Sequence, residues 1–217
     1  MGLRNEQEAK PVLSRSQWVS AARTILIASG IESVKVRKIS EKLGVTTGAF
    51  YYIYKNLEEL HGDLLMDWRK RNTAPFTNAV EETGSDGRAQ LLALGRVIML
   101  EEDYDSAYDN AVRGWAHKSC LAREALEEIN RYRIDLISSM FETVGFDRKS
   151  ARVRSKVYYF HQVGYQALRV DESVDARLMN APYYSQILTG GIEQYPFDDP
   201  TAVRKMLMDV PLNKKQA

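Results

Sequence analysis

Cysteine occurs once in this chain, at Cys120. No internal disulfide is possible, and a reducing compartment is expected. Histidine occurs three times, at His61, His117 and His161. No His-Glu-x-x-His, no paired cysteines and no glycine-rich phosphate loop appear. The best acid–base or metal groupings on offer are Glu101 and Glu102 with His117, or His61 with Asp63. Both are too sparse to read as an enzyme, so no catalytic residue, metal or cofactor is assigned. No apolar run reaches the roughly 18 residues of a membrane span. The start, Met1 to Glu8, lacks the apolar core of a secretory signal. A cytoplasmic protein with no membrane partner is expected. Net charge is small too, +1 overall, so bulk charge points to no polyanionic partner. The stretch from Ser14 to Leu60 is more basic, at about +3, a modest bias of the kind found on nucleic-acid-binding faces.

What is present is helical periodicity from end to end, without an alternating strand pattern, so the fold class expected is all-α. Residues 1–13 are polar and aperiodic and read as a flexible arm. A first helix begins near Ser16, with Trp18, Ala21, Ala22, Ile25 and Leu26 on one stripe, and stops at Gly30. A shorter stripe of Val36, Ile39 and Leu43 closes at Gly44. A third helix runs from Thr46 or Thr47 to Ile53, with Thr46 as its hydroxyl cap. A fourth opens at Asn56, where Glu59 completes a capping-box pattern. Breaks are expected at Thr73–Pro75 and at Gly84–Gly87. Helices follow over 88–101, 106–118, 121–144 and 148–170. A short one from Pro182 to Leu188 starts on a residue suited to a first turn, and a last one covers 201–209.

The segment Gly44 to Asn56 carries the most specific signal. Two short helices joined at a glycine form the helix-turn-helix signature, whose second helix enters the major groove of DNA. Thr46 and Thr47 bring hydroxyls to the start of that helix. Gly48 and Ala49 leave little bulk between backbone and groove. Tyr51 and Tyr52 carry phenols able to reach phosphates, and Lys55 adds a cation. Lys35 and Arg37 add charge from the preceding helix. Phe50 and Tyr54 have the spacing to face inward.

Residues from about Ser16 to Leu65 resemble the TetR family of bacterial transcriptional regulators. The resemblance rests on the first stripe with Gly30-Ile31 and on Val36-Arg37-Lys38-Ile39-Ser40. It continues through Gly44-Val45-Thr46-Thr47-Gly48-Ala49-Phe50-Tyr51-Tyr52 to Lys55-Asn56 with Glu58-Glu59-Leu60. A looser likeness continues at Val112–Ala116 and Phe141–Phe146. Leu57 stands where the family often has a phosphate-binding lysine, leaving that contact to Lys55 or to the start of helix four. Ile53 cannot donate a hydrogen bond, and Lys35 occupies a position where a capping threonine is common.

The resemblance implies a helix-turn-helix DNA-binding domain at 14–62 and a larger helical ligand-binding and dimerisation domain at 63–217. It implies a homodimer on a double-stranded, palindromic DNA operator, acting as a repressor released by an unidentified small-molecule effector. Candidate effector contacts are Tyr104, Tyr108, Arg113, Trp115, His117, Tyr158, His161 and Tyr165, polar aromatics with one cation. Candidate dimer contacts are Val153, Val157, Phe160, Gly164 and Leu168 on one stripe, with Tyr184, Ile187 and Leu188. The alternative is a helical protein-interaction module that has lost DNA binding, which the residues at Leu57 and Ile53 favour.

Overall fold

The computed structural model describes residues 13–101 and 103–210. Glu102 and all but the last residue of the expected N-terminal arm lie outside the described residues. Every regular element among those described is helical: α1 (Arg15–Ser29), a short 3-10 turn (Ile31–Ser33), α2 (Val36–Leu43), α3 (Thr47–Tyr51), α4 (Leu57–Glu81), α5 (Gly87–Leu100), α6 (Ser106–Ala116), α7 (Cys120–Thr143), α8 (Arg148–Ala167), α9 (Val174–Leu188) and α10 (Pro200–Met208). None is long and apolar enough to cross a membrane. The chain divides into two compact units, Met1–Asp67 and Trp68–Ala217.

In the first unit the stripe of α1 does what its periodicity demands. Trp18, Ala22 and Leu26 are fully buried, together with Ile39 of α2, Phe50 of α3 and Leu60 and Leu64 of α4. The start of α1 is fixed by a reciprocal box. The Ser14 hydroxyl accepts from the backbone of the first turn, and the Ser14 N–H donates to Gln17 Oε1 at 2.8 Å. That satisfies donors which would otherwise face the end of the helix unpaired.

The second unit uses one device repeatedly. Each helix from α5 to α10 begins on an aspartate or serine (Asp86, Asp105, Ser119, Asp147, Ser173, Asp199) whose side chain accepts a backbone N–H of the first turn. Each such cap is worth roughly 1 kcal/mol. The core includes Leu91, Leu94, Ile137, Met140, Phe141, Leu178 and Leu207. α7 packs mainly on α8 and α6, and α9 on α10. Cys120 is the exposed first residue of α7.

The two largest departures from the sequence reading are both at prolines. The break expected at Thr73–Pro75 does not exist: α4 continues through Pro75. Proline removes one helical hydrogen bond and crowds the preceding turn, but Asn72, Phe76 and Ala79 are all buried on the same helix. Packing outweighs that local penalty. Pro182 likewise lies buried inside α9 rather than at its start, because Ser173 caps the helix two turns earlier by accepting from Ala176 N–H at 3.2 Å. α8 also stops at Ala167 rather than Val170.

Candidate nucleic-acid interface

The turn before α3 is set by Gly44, at φ 67° and ψ 32°. An L side chain enters this left-handed region only at a cost. The Gly44 and Val45 N–H groups close back on the Glu41 and Ser40 carbonyls at 3.2 and 3.0 Å. Thr46 then takes the extended conformation of a cap residue, but its hydroxyl makes no capping bond, contrary to the sequence expectation. The same hydroxyl is therefore not committed to the helix backbone. α3 itself is shorter than expected. It ends at Tyr51, and the Ile53 and Tyr54 N–H groups both converge on the Phe50 carbonyl at 2.9 Å.

Two residues hold this short helix against the unit. Phe50 packs edge-on to Trp18 with ring centroids 5.4 Å apart and stacks on Tyr54 at 5.3 Å. The Tyr54 hydroxyl donates to Asp63 Oδ2 at 2.9 Å, and the Arg15 guanidinium lies 4.6 Å from the Tyr54 ring centre. Arg15 also bonds Asp63 at 3.0 Å and pairs with Glu59. Burial, reinforced by the Asp63 charge, pushes the Tyr54 phenol well above its ordinary range, so it remains a donor. Glu59 completes the brace by accepting the Lys55 N–H at 2.8 Å, while its own N–H donates to Asn56 Oδ1 at 2.9 Å. The backbone bond from Lys55 and the charge of Arg15 hold the Glu59 carboxyl below its usual range. The expected capping box is thus half realised: Asn56 caps, and Glu59 reaches back to Lys55 instead of Asn56.

The opposite side of the same segment is open. Tyr51 and Tyr52 are 62% and 86% exposed. Thr46, Thr47, Gly48 and Lys55 are exposed and Ala49 half-buried. Lys35 and Arg37 are exposed as well, with Arg37 3.4 Å from Glu41 one turn along. Every DNA-contact candidate except Ala49 therefore lies at the surface, and the α3 segment presents hydroxyls, phenols and a cation around a residue without a side chain. Arg15, Glu59 and Asp63, which fix its position, are 44 to 48 residues apart in sequence for Arg15 and its partners. Only the capping pattern at Asn56–Glu59 hinted at them.

Within the second unit, Tyr158, His161 and Tyr165 line one cavity of about 50 Å³, beside Arg177, Tyr184, Leu188, Glu193 and Tyr195. Tyr104 and Arg113 line a smaller one of about 10 Å³. Tyr108 and Trp115 are buried and His117 exposed, and none of the three lines either cavity. Arg113 is engaged by Asp109 at 3.0 Å and by the Tyr159 hydroxyl at 2.7 Å. Among the dimer candidates, Val153, Val157, Phe160, Leu168, Tyr184 and Ile187 are exposed, Gly164 is half-buried and Leu188 is buried. Among the described residues no three His, Cys, Asp or Glu side chains gather as a metal-binding group.

Residues 19–63 match the family described as bacterial regulatory proteins, tetR family. No curated protein matches the chain. Among solved structures, a transcriptional regulator from Rhodococcus sp. Rha1 is similar in fold. It aligns at a TM-score of 0.56 and 18% identity, covering 91% of this chain and 96% of that one. The structure of BioQ with its natural double-stranded DNA operator aligns at 0.41 and 16% identity, over 84% of this chain and 99% of that one.

Proposed function

We propose, on the premise that its N-terminal unit is the helix-turn-helix domain of a tetR-family transcriptional regulator, that this chain is a ligand-responsive dimeric repressor of a palindromic operator. One observation carries the reading. α3 is anchored through Phe50 and Tyr54 while Thr46, Thr47, Gly48, Tyr51 and Tyr52 stand free on its other side. A helix held rigidly from behind and bare in front is built to be read against something. Its size and side chains suit a major groove, with Lys35, Arg37 and Lys55 placed for phosphates.

DNA selected from a random pool by the full chain is expected to contain a two-fold symmetric site. Its half-sites should lie about 34–36 Å apart or a multiple of that. Affinity should fall linearly on a log–log plot against salt, because each phosphate contact releases counterions. Selection of no sequence at all would favour the protein-interaction module instead.

Support for the dimer comes from α8 and α9. Val153, Val157 and Phe160 on α8, Leu168 just past its end and Ile187 on α9 leave large apolar side chains in water, the kind of exposure that marks an interaction surface when it is contiguous. Gly164 lies on the same helix, and a Cβ added there would meet nothing within 4 Å of its own chain. A Gly164→Glu chain should therefore fold normally. By placing a charge where a second copy approaches, it should sediment as a monomer. Operator affinity should fall about 100-fold or more, since the two heads no longer bind as one. A variant that remains dimeric in analytical ultracentrifugation removes α8 from the interface.

Effector and operator would oppose each other by the same factor, as linkage requires. The cavity beside Tyr158, His161 and Tyr165 is the proposed effector site, since it combines apolar walls with a few polar groups.

A further inference from the structure

The chemical class of the effector can be read from the walls of that cavity. Glu193 is 3% exposed, yet it makes no ion pair among the described residues. One carboxylate oxygen, Oε2, accepts from the Ser185 hydroxyl at 2.5 Å and from the Thr189 hydroxyl. The other, Oε1, has no hydrogen-bond partner among the described residues, and Glu193 is one of the residues that line the cavity. Arg88 comes near, but its guanidinium bonds the main-chain carbonyl of Glu193 at 3.0 Å. A buried carboxylate left without a counter-ion is costly, and a cation supplied from outside relieves that cost.

The backbone holds Glu193 there. Gly190 and Gly191 follow α9 with φ of 80° and 75°, and Gln194 follows with φ of 57°. The Gly191 N–H returns to the Ser185 carbonyl at 3.1 Å. This reversal turns the chain back so that Glu193 meets the two hydroxyls one and two turns up the helix it has just left.

The remaining walls agree in sign. Among the described residues Arg177 is the one lysine or arginine lining the cavity, and it already faces Glu101 at 3.3 Å and the Met99 carbonyl at 3.2 Å. Its Nε is buried without a hydrogen-bond partner among the described residues, a need that any neutral acceptor meets. Burial holds the His161 imidazole below its ordinary pKa, so it adds no positive charge near neutral pH. With Glu101 and Glu193 against Arg177, the lining carries one excess negative charge. Tyr158, Tyr184 and Tyr195 supply aromatic rings, the surface that attracts an organic cation rather than an anion, while the Tyr165 ring already carries the Arg177 guanidinium 5.1 Å from its centre. A volume of about 50 Å³ has room for roughly four waters, which takes an ammonium head and the first few carbons of a tail, the rest of which leaves through the open side of the cavity.

We propose that this cavity binds a small organic ammonium, with Glu193 as its counter-ion and the surrounding tyrosine rings as its walls. The assignment rests on the effector-site reading above, and its test separates the two. Hexylammonium, hexanoate and 1-hexanol share one tail and differ in head-group charge. In calorimetric titration of the full chain near neutral pH, hexylammonium should bind at least tenfold more tightly than either of the others. Glu193→Gln should bring it to the level of hexanol. Arg177→Met should leave hexylammonium binding unchanged or tighter.

Preference for hexanoate, lost in Arg177→Met, overturns the proposal, as does equal or absent binding of all three probes. If Glu193→Gln fails to fold, the native chain and Arg177→Met still decide the matter. The same preparation is offered random-pool DNA. Selection of DNA without ammonium preference sinks the cation site alone. Ammonium preference without DNA selection leaves the cation site standing and sinks the regulator.

Discussion

Asp109→Asn is expected to destabilise the second unit by about 3–5 kcal/mol, lowering its midpoint of thermal unfolding by on the order of 10 °C. Asp109 is fully buried on α6. Its Oδ1 accepts from Arg133 at 3.1 Å and from the Trp68 indole N–H at 3.1 Å; its Oδ2 accepts from Arg113 at 3.0 Å. Arg133, 1% exposed, also donates to the Asn72 carbonyl at 2.8 Å. One carboxylate thus joins α4, α6 and α7, and Arg113 extends the set to Tyr159 of α8. Burial alone would raise the Asp109 pKa, but the charges of Arg133 and Arg113 overcome it and bring the group down to about 2.

A depressed carboxylate stabilises the fold in full above its unfolded pKa of about 3.9. That contribution, roughly 2–3 kcal/mol, is lost as pH falls through the folded value. The native chain should therefore lose stability between about pH 4 and pH 2, and the Asn variant should lack that component. Urea unfolding followed by circular dichroism reads both effects. A loss below about 1 kcal/mol would mean that the two arginines find other partners.

The second large effect is on DNA. Gly48 sits on the bare side of α3, and a Cβ there would meet only the Thr46 hydroxyl, at an ordinary 3.7 Å. Gly48→Glu therefore fits the folded unit and should leave its unfolding midpoint within a few degrees. In a groove lined by phosphates the added carboxylate is a like charge at close range, costing several kcal/mol. Affinity for the selected operator should drop by about 100-fold or more. Gly48→Ala, as the control for size alone, should lose far less. Mobility shifts of the three chains on one DNA decide it. Unchanged binding by the Glu variant would move the reading surface away from α3.

Much of the first unit was legible because its determinants are local. Trp18, Ala22 and Leu26 recur at helical spacing, Gly44 marks its own turn, and the inward spacing of Phe50 and Tyr54 agrees with their burial. The errors arose where distant packing overruled a local rule. Pro75 and Pro182 look like boundaries to anyone reading neighbours, yet both lie inside helices whose faces are buried by other parts of the unit. The Asp109–Arg133 pair spans 24 residues, and nothing in either residue's neighbourhood signals the other. Glu193 was hidden for the same reason. Beside a double glycine it reads as an ordinary surface turn, and only the return of the chain onto Ser185 and Thr189 makes it a buried charge. Most of the DNA-contact candidates lie exposed on the short segment from Thr46 to Lys55, with Lys35 and Arg37 at the start of α2, whereas the effector candidates scatter over two cavities, a core and a surface. Aromatic residues at helical spacing serve all of these roles alike.

The solitary thiol at the head of α7 has a practical consequence. A maleimide reporter can attach at a single place, Cys120, without any engineered substitution. Two such reporters in a symmetric pair would define one interval, and its change on adding an amine would register the effector's action in the absence of any nucleic acid.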